Sequence, residues 1–453
     1  YLPSTPPTVA PLRSINLTAK TAHVFIGFFC THCFFKLKKM ASLVQFLPLF
    51  PFFFLISFSV SHGPFLPKAI ILPVKKDPSS FQYVTQLYMG ANHLAPIKLV
   101  VNLGGSFLWA DCGLTSDSSS QKLVPCNSLK CSMAKHNGCT NDNKICGLKS
   151  ENPFTRLAAT GELAQDMFAV EFIDELKTGS VASIHQFLFS CTSSTLLQGL
   201  ARGAKGMLGL GNSRIALPSQ LSDTFGFQRK FAICLSSSNG AIISGESPYL
   251  SLLSHDVSRS MLYTPLISFR DGVSEEYYIN VKSLKINGKK LSLNTSLLTM
   301  DGEGHGGTTI STISPFTTMK SSIYKTFVEA YERFGFSMGL TKVDPIAPFG
   351  LCFSTKGVNV PSIDLVLQSE MVKWRIYESN SMVKVSDEVM CLGFLDGGVN
   401  QKASIVIGGH QLEDNLLEFN LGTSMLGFTS SLAMVETSCS DFMFSKDSSA
   451  FDT

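Results

Sequence analysis

Leu99-Val100-Val101-Asn102-Leu103-Gly104-Gly105 is an apolar strand that runs into a glycine turn. A comparable strand and turn, Gly307-Thr308-Thr309-Ile310-Ser311-Thr312-Ile313, recurs in the later half of the chain. About a hundred residues after each comes a short apolar element ending in glycine: Gly206-Met207-Leu208-Gly209-Leu210-Gly211 after the first, Ile405-Val406-Ile407-Gly408-Gly409 after the second. Two copies of strand, turn and distant apolar-glycine element predict two lobes built from one repeated unit, at residues 63–250 and 251–453. The 453 residues suffice for two cores, since single hydrophobic cores stop growing at roughly 250–300 residues.

The rest of the pattern is mainly β. Short runs rich in Val, Ile, Phe, Thr and Tyr recur between Gly, Pro, Asn and Ser clusters. They include Phe81–Met89, Ile97–Leu103, Met167–Ile173, Phe187–Cys191, Tyr277–Ile286, Ser362–Leu367, Met371–Tyr377 and Ala403–Ile407. Helical periodicity is clearest over Ser321–Phe334, where Ile323, Phe327, Ala330, Tyr331 and Phe334 share one face, with Ser321 or Ser322 as the expected cap. A shorter helix is expected after Pro218.

Hydrophobic residues make up 44% of the chain and charged residues 16%, a globular and not a disordered balance. A net charge of +3, with no Lys/Arg block in the body of the chain, gives no footprint for nucleic acid. Lys36, Lys38 and Lys39 precede Met40 and an apolar stretch, Leu43–Val60, that ends in small residues near Ser61–Gly63. This is the layout of a secretory signal peptide at 40–62, with Met40 as the expected start and residues 1–39 as translated upstream sequence or a gene-model extension. Pro48 and Pro51, and the lack of a following cationic cluster, argue against a membrane anchor. The expected location is extracellular, in the apoplast or cell wall, with no stable membrane insertion.

Beyond Cys30 and Cys33 in the leader, ten cysteines remain: Cys112, Cys126, Cys131, Cys139, Cys146, Cys191, Cys234, Cys352, Cys391 and Cys439. An even number in an exported chain reads as a disulfide framework of unknown pairing. The set from Cys126 to Cys146 is expected to staple an irregular loop. No paired metal-ligand spacing is present, so neither a metal nor a cofactor is expected. Asn294-Thr295-Ser296 is a glycosylation acceptor.

At Leu99–Cys112, Gly203–Pro218, Arg229–Cys234, Gly307–Ser314, Ala347–Ser354, Pro361–Ser369 and Ser404–Leu417 the chain resembles a plant group of pepsin-like proteins. That group includes extracellular dermal glycoproteins, basic 7S globulins, and inhibitors of microbial xylanases and xyloglucan endoglucanases. The resemblance implies a bilobal pepsin-like fold, with two β-barrel-like lobes flanking a central cleft. In active pepsin-like peptidases each lobe contributes one Asp from an Asp-Thr/Ser-Gly turn, and the two carboxyls share a proton. Here those positions hold Asn102 and Ser311, and Ile313 replaces the second glycine. An amide cannot serve as the general base, and an unassisted hydroxyl has no carboxyl pKa. The resemblance therefore implies a binding protein and not an enzyme, in which Asn102 and Ser311 can still hydrogen-bond across the lobe junction. Ala158 is placed where active relatives carry a tyrosine on the flap hairpin.

Asp111 and Asp301 lie near the two turns and read as structural groups, and the carboxylates around Asp301 are too few to favour calcium. His305 and His410 are isolated. Gly206–Gly211 lacks the ending of a nucleotide loop. The expected partner is a microbial glycoside hydrolase or a peptide ligand. The candidate surfaces are Gly335–Phe349, which carries Lys342, and Ser430–Ser438, which carries Glu436. Basic or polar residues in such loops suit a glycosidase site, which holds two carboxyls. The alternatives are a seed storage or peptide-binding globulin, and a secreted aspartic endopeptidase.

Overall fold

The computed structural model describes residues 67–441, apart from 92, 112, 114–119, 136, 143, 175–176, 246–256, 268–274 and 356–358. The leader, the expected signal peptide, Cys30, Cys33, Cys112 and the expected lobe boundary near 250 lie outside the described residues.

The repeat noticed in two turns extends to the strand pairings around them. In the first half, strand Ala69–Lys76 pairs antiparallel with Asn239–Gly245 and with Tyr83–Met89, which in turn pairs with Ala95–Asn102. Ala95–Asn102 then runs parallel to Gly206–Gly209, which is antiparallel to Trp109–Asp111, itself parallel to Lys177–Thr192. In the second half, strand Leu262–Ile267 pairs antiparallel with Met425–Phe428 and with Tyr278–Ile279, which pairs with Thr308–Ile310. Thr308–Ile310 runs parallel to Ile405–Ile407, which is antiparallel to Thr317–Met319, itself parallel to Phe394–Asp396. A hairpin closes each half: Lys230–Cys234 with Asn239–Gly245, and Leu416–Asn420 with Met425–Phe428. The same pairings in the same order give the two-lobed, mainly β, pepsin-like architecture.

The halves are joined strand to strand. Lys230–Cys234 pairs antiparallel with Leu416–Asn420, and the disulfide Cys234–Cys439 pins the same strand to the end of the described chain. Beside this seam the rings of Phe231 and Phe419 stack at 5.0 Å, with Tyr277 4.6 Å from Phe419. A second link is ionic. The buried carboxylate of Glu413 accepts from Lys76 Nζ at 2.6 Å and from the Tyr83 hydroxyl at 2.9 Å, with His410 Nδ1 at 3.7 Å. Burial alone would raise the Glu413 pKa; the hydrogen bond of His410 and the charge of Lys76 outweigh it and hold the carboxyl below its ordinary value.

Helix Ser321–Ser337 buries Ile323, Phe327, Ala330 and Tyr331, the stripe expected from the sequence, with Phe334 only partly covered. Its cap differs from expectation. The helix begins at Ser321 after Lys320, with no side-chain cap, and the Ser321 hydroxyl donates to Asp396 Oδ1 at 2.7 Å. The shorter helix, Leu217–Phe225, carries Pro218 in its first turn and ends at Gly226 with φ of 73°, a left-handed stop that glycine adopts without strain.

Candidate functional site

The two turns occupy equivalent places. In the parallel ladders Asn102 stands opposite Gly209, and Ser311 follows Ile310, which stands opposite Ile407. Ser311 thus comes beside Gly408. Neither glycine has room for a side chain. A Cβ on Gly209 would lie 2.4 Å from the carbonyl oxygen of Phe107, and one on Gly408 would lie 2.2 Å from the carbonyl carbon of Phe316. Phe107 and Phe316 each lie five residues beyond the turn position, so the backbone packing is duplicated even where the side chains have diverged.

The polar contacts are not duplicated. The Asn102 carbonyl accepts from Gly105 N at 3.1 Å and Leu210 N at 3.0 Å. Ser311 donates its N–H to the Ile407 carbonyl at 2.9 Å. Its hydroxyl oxygen accepts from Ile313 N at 3.1 Å and Ser314 N at 3.4 Å, closing its own turn. The expected hydrogen bond between Asn102 and Ser311 is not found among the described residues. The next residue carries the cross-link instead: Thr312 Oγ1 donates to the Val101 carbonyl at 2.8 Å and accepts from Leu103 N at 3.0 Å. Leu103, at the equivalent place in the first turn, has no hydroxyl to return these bonds. Between the two turns, the side-chain hydrogen bonds among the described residues come from Thr312.

Asp111 and Asp301 are each bound up in their own loops. Asp111 Oδ1 accepts from Gly113 N at 3.1 Å, and Asp301 Oδ1 accepts from Glu303 N at 2.9 Å and His305 N at 2.8 Å. The backbone hydrogen bond from His305 lowers the Asp301 pKa, and the carboxylate serves its own loop.

Above the first turn stands a hairpin formed by Ile145–Asn152 and the start of Leu157–Asp174. Its tip is Pro153–Arg156, with Arg156 at φ 58°. Ala158 lies past the tip on the returning strand, exposed and paired with Glu151, so the two share one face of the hairpin. Lys149, Glu151 and Pro153 on the outgoing strand line a cavity of about 280 Å³, together with Asn102, Gly104, Trp109 and Glu276.

Lys342 lies on the strand Lys342–Val343, exposed, with its ammonium 2.7 Å from Glu332 Oε1 of the long helix. Glu436 is exposed and ends a short helical turn, Leu432–Val435, at φ 55°. Disulfides Cys352–Cys391 and Cys234–Cys439 stand just beyond the two segments. Cys126–Cys139 and Cys131–Cys146 staple the irregular loop as expected, and Cys191 is also disulfide-bonded. Asn294 is exposed; its Oδ1 accepts from Ser296 N at 3.1 Å and the Ser296 hydroxyl at 2.9 Å. Among the described residues no helix is long and apolar enough to cross a membrane.

Comparison with known proteins decides the family. Residues 83–246 match the family described as xylanase inhibitor N-terminal, and residues 276–430 match the xylanase inhibitor C-terminal family. The chain belongs to the xylanase-inhibitor family of pepsin-like proteins. Within it, the chain is 44% identical to a probable aspartic proteinase GIP2 of Nicotiana benthamiana, over 85% of this chain and 94% of that protein. It is 38% identical to gamma conglutin 1 of Prunus dulcis, over 96% and 100% of the two chains. The solved structure of edgp superposes with a TM-score of 0.80 at 45% identity, covering 85% of this chain and all of that one. Basic 7S globulin from soybean gives 0.72 at 34% identity, covering 83% and 99%. The two family matches divide the chain much as the repeated topology does.

Proposed function

We propose that this member of the xylanase-inhibitor family is a secreted, catalytically inactive pepsin-like protein that binds and inhibits a microbial cell-wall-degrading glycoside hydrolase. The observation that carries the loss of catalysis is the pair Asn102 and Ser311, which leaves both turns without a carboxyl inside an otherwise intact scaffold. General acid–base assistance is worth roughly 10²–10⁴-fold in rate, and here neither turn supplies it.

For binding, the segments Gly335–Phe349 and Ser430–Ser438 are the proposed contacts. The bridges Cys352–Cys391 and Cys234–Cys439 begin within a few residues of them, which favours a rigid platform with little ordering cost on association. Lys342 would exchange Glu332 for a carboxylate of the partner, a cheap exchange because exposed ion pairs contribute only about 0–1 kcal/mol. Glu436 would meet a donor on the partner, not one of its catalytic acids. Likeness to gamma conglutin and basic 7S globulin supports a second reading as a seed storage or peptide-binding protein.

A pull-down of the secreted chain against a panel of microbial xylanases and endoglucanases tests the proposal. At least one hydrolase is expected to bind at micromolar concentration and lose activity, and Lys342→Glu is expected to weaken that complex. If none binds, the inhibitor reading fails.

A further inference from the structure

One small sheet of the second half concentrates positive charge. Strand Ser283–Ile286 pairs antiparallel with Lys289–Lys290 and with Ile363–Ser369, which pairs in turn with Val372–Ile376. These four strands, with Lys282 and Glu370 beside them, hold six cations (Lys282, Lys285, Lys289, Lys290, Lys373 and Arg375) against two carboxylates, Asp364 and Glu370. That excess is larger than the +3 of the whole chain. The cations fall in two groups more than eighty residues apart in the sequence, and strand pairing brings them together.

The pairing sets like charges against each other. Lys285 stands directly across from Lys290, and like charges so placed destabilise a sheet. On its other side Lys285 faces Asp364. That carboxylate is taken by Arg375 Nε at 2.6 Å and Lys373 Nζ at 3.4 Å, and Lys285 turns to Glu370 instead. Lys289 and Lys290 are exposed and have no carboxylate within ion-pair distance among the described residues. The hairpin that carries them is stiff. Its two-residue turn, Asn287-Gly288, has φ of 48° and 77°, the pair of positive values that matches the twist of the flanking strands. Lys289 Nζ rests 5.7 Å from the centre of the Phe334 ring. Cations held together at a cost in stability, on a rigid support, suit an anion that relieves their repulsion.

We propose that this sheet binds a linear polyuronate, a polysaccharide with one carboxylate on each sugar. The chain would cross the outer face over Lys290 and Lys285 toward Lys373, which lie on successive strands of that face, while Lys282 and Lys289 meet it at the rim. A run of carboxylates matches a row of cations spaced by strands about 4.8 Å apart, and an uncharged saccharide would gain nothing from it. A nucleic acid fits less well, because the one aromatic residue on these strands, Trp374, is buried and leaves no ring for a base to stack on. The site lies apart from Lys342 and Glu436, so it stands or falls separately from hydrolase inhibition.

Calorimetric titration of the secreted chain with polygalacturonate, with the same polymer fully methyl-esterified, and with poly-glutamate tests the assignment. Polygalacturonate is expected to bind, and raising the salt from about 20 mM to about 300 mM should weaken it strongly. The esterified polymer should not bind, and poly-glutamate should bind at least about fivefold more weakly than polygalacturonate. Lys289→Gln with Lys290→Gln should weaken polygalacturonate by about tenfold, the combined worth of two exposed ion pairs. The same loss of charge at two exposed lysines of the first half, Lys122→Gln with Lys144→Gln, should change it by less than about twofold. Lys290→Gln alone should not lower stability to denaturant, because it removes a like-charge pair. No binding of polygalacturonate at low salt, equal binding of the esterified polymer or of poly-glutamate, or an equal loss from the Lys122 and Lys144 pair would each overturn the proposal.

Discussion

Arg375→Met is expected to destabilise the second half by about 1.5–3 kcal/mol, the usual worth of hydrogen bonds to a charged group. Asp364 is 1% exposed. Its carboxylate takes a two-pronged contact from Arg375, Nε to Oδ1 at 2.6 Å and Nη2 to Oδ2 at 3.0 Å, with Lys373 Nζ at 3.4 Å. Burial by itself would raise the Asp364 pKa, but the Arg375 hydrogen bonds and charge, aided by Lys373, prevail and lower it below 3.8. A carboxyl whose folded pKa is depressed adds stability above its unfolded value, and that contribution disappears as pH falls through the folded value. Denaturant unfolding should therefore show a large gap between wild type and Arg375→Met near neutral pH. The gap should shrink at pH values below the 3.8 of a free aspartate. A gap that is small at neutral pH, or unchanged in acid, would show that Asp364 does not depend on Arg375.

Removing Cys234–Cys439 with paired serines is expected to cost about 5 kcal/mol, since the chain-entropy account of a bridge grows with the loop it closes and this loop spans 205 residues. The short staples Cys126–Cys139 and Cys131–Cys146, separated by 13 and 15 residues, should each cost nearer about 3 kcal/mol on the same account. Chemical unfolding of the two kinds of variant separates them. Because Cys234 lies on the strand that pairs with Leu416–Asn420, the long-loop variant should also loosen the seam between the halves. If the short-loop variants prove the weaker, the seam is held by its strand pairing and by the Phe231–Phe419 stack rather than by the bridge.

Much of this fold was legible in the sequence because the repeat is written in short, local patterns. The strand entering Asn102 and the strand entering Ser311 are apolar runs stopped by turns, and the long helix shows its buried face at Ile323, Phe327 and Tyr331. The proposed loss of the acids is read from single letters, Asn102 and Ser311, at a fixed place in each turn. What escaped depends on partners far apart in the chain. Thr312 reaches Val101 across 211 residues, and nothing local marks it as the residue that bridges the turns. Glu413 meets Lys76 across 337 residues, and Glu276 finds Gly104 only after both halves have folded. The expected Ser321 cap failed on a one-residue difference in where the helix begins.

The central claim, that this scaffold has lost peptide chemistry and keeps its architecture for binding, is tested most directly by incubating the secreted chain with a denatured protein substrate at acid pH, with and without pepstatin. The account predicts no pepstatin-sensitive cleavage, and none from Asn102→Asp either, because Ser311 still withholds the second carboxyl. Pepstatin-sensitive cleavage by the unaltered chain would contradict it.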